Sequence, residues 1–180
     1  TKGKIRDKPG GEARVFLRVL WELAFARSAA IGGEWEPLRA DRKLLESNTL
    51  IAWGLCKSLV TGEWIVPGYN AECRLVQLYR WEPITPDGKR VLKATAGLPH
   101  GLFIPAERYD PKHKEVIVCE GPWDGMALWE LDTKCNVVAV PGCTTFAESW
   151  LPLFAGKIVT LLYDNDHPRE AKGKVIPGAG

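Results

Sequence analysis

Cysteine is scarce and scattered in this chain: Cys56, Cys73, Cys119, Cys135 and Cys143 make five, an odd total with no Cys-x-x-Cys pair among them. Neither a zinc ribbon nor a closed disulfide framework follows from that spacing. Long apolar runs are lacking too: none reaches the roughly 20 residues that a membrane-spanning helix needs. No signal peptide is recognisable, so the expected compartment is the cytoplasm. Charge of one sign is not in excess either. Lys and Arg number 24 against 22 Asp and Glu, a formal net charge of +2. The total therefore says little about acidic partners, and nucleic-acid binding has to be argued from local patches.

What the chain does have is the composition of a globular protein, 46% hydrophobic and 26% charged over 180 residues. That length can bury one good core or support two small subdomains. Eight tryptophans are many for it. Trp21 and Trp53 fall among apolar helical residues and read as core. Trp81, beside a loop, is open to a core role or to stacking on a base.

In chain order, residues 1–11 form a basic, glycine-rich tail. Phe16, Val19, Leu20, Leu23 and Ala24 share one face of a helix predicted over 13–30, which Gly32-Gly33 ends. A second helix is predicted over 38–45 and a short third one from Ser47 to Trp53. Then Trp64-Ile65-Val66, the run from Arg74 to Trp81, and Arg90 to Lys93 read as strands. Pro67-Gly68-Tyr69-Asn70 and Pro86-Asp87-Gly88 serve as turns between them. Alternation puts Leu75, Gln77, Tyr79 and Trp81 on one face and Val76, Leu78 and Arg80 on the other, as in an antiparallel meander. A loop from Ala94 to Gly101 follows, and His100 in it reads as a packing residue.

Downstream the pattern changes. Val116 to Cys119, Asn136 to Val140 and Lys157 to Tyr163 are apolar, β-branched runs, with helical segments between them from Asp124 to Leu131 and from Thr145 to Phe154. Strands alternating with helices imply parallel pairing through right-handed crossovers, which brings all strand C-termini to one edge, where open α/β sheets bind ligands. At those ends stand Glu120-Gly121, Pro141-Gly142 and Asp164-Asn165-Asp166. Glu120, Asp164 and Asp166 should meet there. Three carboxylates that close repel unless a cation compensates them, and hard oxygen ligands suit Mg²⁺ or Mn²⁺ rather than a structural zinc. Asp124, one helical turn beyond Glu120, can orient it, reach the metal through water, or cap the helix. Gly121 and Gly142 are either glycines that let backbone approach phosphate or plain turn residues.

Glu120-Gly121-Pro122-Trp123-Asp124 before a helix, Gly142 after the next strand and Asp164-Asn165-Asp166 after the third together resemble the toprim domain of bacterial-type and phage primases, topoisomerases and some nucleases. The order strand, Lys93, glycine-rich loop, Leu102-Phe103 is similar to the basic subdomain that precedes toprim in those primases. The resemblance implies an α/β fold in which a toprim-like parallel sheet flanked by helices is preceded by a small α+β basic subdomain. The corresponding division is a tail and helical lobe over 1–62, an antiparallel basic subdomain over 63–112 and a toprim domain over 113–180. The glycine- and proline-rich tail from His167 onward suggests a toprim domain cut short. The activity implied is that of a DNA primase catalytic core, a nucleotidyltransferase that makes RNA primers on a single-stranded DNA template from ribonucleoside triphosphates. A replicative helicase, fused or separate, is the implied partner. Glu120, Asp164, Asp166 and Lys93 become the catalytic candidates, with Glu120, Asp124, Asp164 and Asp166 as the metal-ligand set. Lys93, Arg90, Arg80, Gly121 and Gly142 are the candidates for holding nucleotide or template phosphates. The family's zinc-binding and helicase domains are not in this sequence. A toprim nuclease using the same carboxylates, and a non-catalytic nucleic-acid-binding replication module, are the alternatives.

Overall fold

The computed structural model describes residues 21, 22, 25, 35, 38, 47–58, 61–82, 91–106, 108–131, 136–165, 169–171 and 174–176. Trp21, Glu22 and Phe25 are helical, as is Leu38. The rest of the two helices predicted over 13–30 and 38–45 lies outside the described residues, and so do Arg90, Asp166 and the turn at 86–88. The third helix is present as α1, Ser47–Ala52.

Four strands make an antiparallel sheet in the order β1-β2-β3-β4: β1 Cys56–Lys57, β2 Trp64–Tyr69, β3 Leu75–Glu82 and β4 Val91–Ala94. β1 has no counterpart in the sequence reading. The turn predicted over Pro67-Gly68-Tyr69-Asn70 is corrected in its first three residues: Pro67 and Gly68 belong to β2, opposite Leu78 and Gln77, and Tyr69 ends it. Proline is tolerated because, among the described residues, β1 pairs only with Trp64 and Ile65, so β2 is an edge there by Pro67 and no ladder needs the missing N–H. The chain turns instead at Asn70, whose Oδ1 accepts the N–H groups of Glu72 (3.1 Å) and Arg74 (2.9 Å).

A second sheet is parallel, in the order β6-β5-β7, from β5 Glu115–Glu120, β6 Asn136–Val140 and β7 Ile158–Leu162. Helix α2, Pro122–Glu130, crosses from β5 to β6. The crossover from β6 to β7 is a 3₁₀ helix, Glu148–Phe154, and not the longer α-helical segment predicted from Thr145. Pro152 lies inside it, and a proline there has no N–H for an α-helical bond and crowds the carbonyl four residues back. The tail expected as loop holds a short antiparallel ribbon, β8 Arg169–Ala171 with β9 Lys174–Ile176.

Two residues fasten the sheets together. Leu102 exchanges both backbone hydrogen bonds with Tyr69 (2.7 and 2.8 Å), and Phe103 exchanges both with Ala139 on β6 (2.9 and 2.9 Å). The inner face of the antiparallel sheet then closes on α2 and β6. Trp64, Val66, Tyr79 and Trp81 pack with Trp53, Phe103, Met126 and Ala139 in one buried cluster. Trp81 is 2% exposed and its ring lies 4.8 Å from that of Trp123, so of its two readings the core one holds. Trp53 is likewise core at 1% exposure. Full burial of one such large apolar side chain is worth about 1.5–3 kcal/mol, and the cluster spans both sheets.

Candidate active site at the carboxylate edge

Parallel pairing puts the ends of β5, β6 and β7 side by side: Glu120 lies opposite Val140 and Cys119 opposite Leu162. The strand-to-helix turn after β5 depends on Gly121, which has φ 80° and ψ 150°, a conformation open in practice only to glycine. Its N–H bonds Val140 O at 2.8 Å, holding the turn to β6. Gly121, not Asp124, is the N-cap of α2. Pro122 starts the helix and Asp124 sits in its first turn, exposed, where a carboxylate complements the helix dipole. Gly142 differs from Gly121. Its φ is not in the left-handed region, and a Cβ there would make only ordinary contacts, 3.7 Å from Thr145 Oγ1 and 3.9 Å from Glu120 Oε1. The Glu120 carboxylate therefore lies against the loop that follows β6.

Glu120 Oε2 is buried and has no hydrogen-bond partner. A carboxylate oxygen shut from water without a donor is costly, and native structures that keep one satisfy it with an ion, a ligand or water. Other carboxylates act on the same corner. The Cys119 thiol is pushed up to about 12, first by burial, then by the negative charge of Asp124, with a lesser push from Asp164. The Tyr163 phenol is raised by burial and then by Glu120, with Cys143 and Cys119 behind. The charges of Asp124 and Asp164 thus reach Cys119, and that of Glu120 reaches Tyr163. Asp164 is exposed. Among the described residues no three His, Cys, Asp or Glu side chains form a set that could hold a metal ion, and Asp166 lies outside those residues. The donor chemistry fits a hard divalent cation: one orphaned buried carboxylate oxygen, with two further carboxylates along the same edge.

Of the basic candidates, Lys93 and Arg80 do not join the carboxylates, and Arg90 lies outside the described residues. Lys93 pairs with Arg80 across β3 and β4, and both are exposed, while their neighbours Tyr79, Trp81, Leu92 and Ala94 face the core. Lys93 and Arg80 are therefore together on the outer face of the antiparallel sheet, where Arg80 Nη1 is 3.4 Å from Glu63 Oε2. The loop after β4 is held by Gln77, a residue that alternation assigned to a face without a role. Its buried side-chain amide donates to the carbonyls of Thr95 (3.2 Å), Leu98 (3.4 Å) and Pro99 (3.2 Å), and its Oε1 accepts the Thr95 N–H at 3.1 Å. His100 has the packing role expected of it, with Nδ1 3.3 Å from the Tyr79 hydroxyl. Tyr163 was read only as the end of a strand; its place next to Asp164 was the one signal available.

No family model matches the chain, and no curated protein matches its sequence. Solved structures do match in shape. The Aquifex aeolicus primase structure containing the zinc-binding and RNA polymerase domains superimposes with a TM-score of 0.63 at 14% identity, over 89% of this chain and 50% of that one. The DnaG catalytic core gives a TM-score of 0.63 at 15% identity, over 85% of this chain and 62% of the other. The chain thus has a primase-like α/β fold and spans about half to three fifths of the length of these structures.

Proposed function

We propose that this chain is the toprim-containing catalytic core of a DNA primase, joining ribonucleotides on a single-stranded DNA template. The observation that carries the reading is the orphaned, buried Oε2 of Glu120, at the C-terminal edge of a parallel sheet in a fold like that of the DnaG catalytic core. Phosphoryl transfer asks little covalent work of a protein; it requires charge neutralisation across the reacting phosphates and a positioned nucleophile. A bound Mg²⁺ or Mn²⁺ supplies the first by spreading the charge of the triphosphate. Glu120, Asp164 and Asp166 would hold the ion, and Asp124 would add negative charge from the first turn of α2. Glu120 either completes that ligand set or accepts the proton of the primer 3′-hydroxyl as it attacks the α-phosphorus and pyrophosphate leaves. Gly121 and Gly142 let the phosphates come close to backbone at this edge. Lys93 and Arg80, on the outer sheet face, bind phosphates of the template strand, and Arg90 is a further candidate for that role. A replicative helicase is the partner and the cytoplasm the compartment in this reading.

The test is primer synthesis by the intact protein with labelled ribonucleotides on single-stranded DNA. Glu120→Gln keeps size and hydrogen bonding but removes charge, so it should lower turnover by at least about 100-fold with strand binding retained. Cleavage of the template in place of synthesis would make the protein a nuclease. Wild-type synthesis by the variant would remove Glu120 from the chemistry.

A further inference from the structure

A cavity opens at the C-terminal end of α2. Its volume is about 580 Å³, and it is lined by Trp21, Phe25, Tyr69 and Trp129 with Asn48 and Arg108 among the polar groups. The volume is within the range of small-molecule sites, which combine apolar and aromatic walls with a few polar groups. Its walls are built from separate elements. The Trp21 and Phe25 rings stack at 5.4 Å and 18°, and Trp21 Nε1 donates to Gly54 O at 3.1 Å, which anchors the indole. Tyr69 ends β2. Trp129 lies seven residues into α2 from Pro122, so at 1.5 Å per residue the cavity is about 10 Å along the helix from the carboxylate edge.

The polar groups select the ligand. Asn48 and Arg108 are both exposed, and among the described residues neither the Asn48 amide nor the Arg108 guanidinium has a hydrogen bond or ion pair. An aromatic wall accepts a planar ring, a guanidinium accepts a phosphate in a two-pronged contact, and an amide pairs with the donor and acceptor edge of a base. We infer that this cavity binds a nucleotide, with its base on the aromatic wall, its phosphate on Arg108 and its base edge on Asn48. The ligand is a free mononucleotide or one residue of a single strand. The inference does not depend on the polymerase reading, because the ring wall and the cation are independent of Glu120.

The probes are 2-aminopurine mononucleotide and a short single strand carrying one 2-aminopurine, whose emission falls when the base stacks. Either should quench saturably on the 180-residue chain. Arg108→Ala should weaken binding by about tenfold, the size expected for loss of a charge-assisted contact. Trp129→Leu should reduce the quenching itself. Lys112→Ala, which removes an exposed charge of the same sign nearby, should change neither. Saturation by the mononucleotide identifies a free-nucleotide site, and saturation by the strand alone identifies a strand site. Absence of saturation with both probes would overturn the inference, as would equal weakening by Arg108→Ala and Lys112→Ala. Arg108 is exposed, so its variant keeps the test decisive if Trp129→Leu does not fold.

Discussion

At the scale of single residues, the chemistry at strand ends was legible in the sequence because it is local: an acid directly after a β-branched run lies at the sheet edge once the strands are parallel. Glu120 and Asp164 were found that way, and Gly121 with them. Alternation puts Arg80 on the face opposite Tyr79 and Trp81, but which face packs on α2, and so which is the outer one that Lys93 shares, is not in the pattern. Their cross-strand placement leads to a salt-dependence prediction. Each phosphate contact to a single strand contributes about −0.7 to the slope of log affinity against log salt. Lys93→Ala should make that slope shallower by about this amount in fluorescence-anisotropy titrations, and an unchanged slope would return Lys93 to the solvated surface. Gln77 was not legible at all, because alternation gives a residue its side of the sheet and not the carbonyls it meets. Gln77→Leu removes the side-chain donor to the Thr95, Leu98 and Pro99 carbonyls and one of the two acceptors of the Thr95 N–H, which keeps its bond to Leu78 O. It should cost about 1–3 kcal/mol in urea unfolding and loosen hydrogen exchange across 94–101; wild-type stability would show that the loop holds itself.

Elements are placed by close backbone approach, and here glycine decides more than propensity does. A Cβ on Gly125 would lie 2.5 Å from Trp53 Cη2 and 3.0 Å from the Ala139 Cβ, so α2 can reach β6 only because that position is bare. A Cβ on Gly101 would lie 2.6 Å from the Gly68 carbonyl carbon and 2.7 Å from Tyr69 N, beside the Leu102–Phe103 fastening. Neither contact can be relieved by rotating a flexible side-chain end. Gly125→Ala should therefore destabilise by about 1–3 kcal/mol through overpacking, despite alanine's better helix propensity. Gly142→Ala, with room for its methyl group, should leave the melting temperature unchanged. A thermal scan in which Gly125→Ala melts at or above wild type would refute the packing argument. The same physics explains the misread turn. Pro67-Gly68 has the composition of a turn, but Gly68 is required where Tyr79 and Gly101 press on β2, and Pro67 is harmless on an edge.

Over the whole molecule, sequence periodicity separates the antiparallel half from the parallel half, but it does not tell which strands are covered. All five residues of β7 are exposed, Ile158 and Leu161 at 64%, because among the described residues the strand has a neighbour on one side only. Burial elsewhere is deep enough to set the molecule's response to alkali. The Cys56 thiol moves from 9.0 to about 12 through burial alone, and Cys119 moves as far with added push from carboxylates. Burial also lifts the Tyr79 phenol from 10.0 to about 12 against a hydrogen bond to Gly101 that lowers it, and lifts Tyr109 equally with help from Cys73 and Asp110. Each group ionises more easily in the unfolded chain than in the folded one. Below about pH 8 all are essentially protonated in both states and contribute no pH dependence. Between pH 9 and about 12 the unfolded chain releases protons that the folded chain keeps, so stability must fall as pH rises through that window. Urea midpoints measured at pH 7.5, 9 and 10.5 should fall slightly over the first interval and steeply over the second. Cys56→Ala should flatten part of that drop while leaving Tyr79 to drive the rest. A midpoint that held constant to pH 11 would mean that these groups reach water in the native state, and the packing described for the two sheets would be wrong at Cys56 and Tyr79.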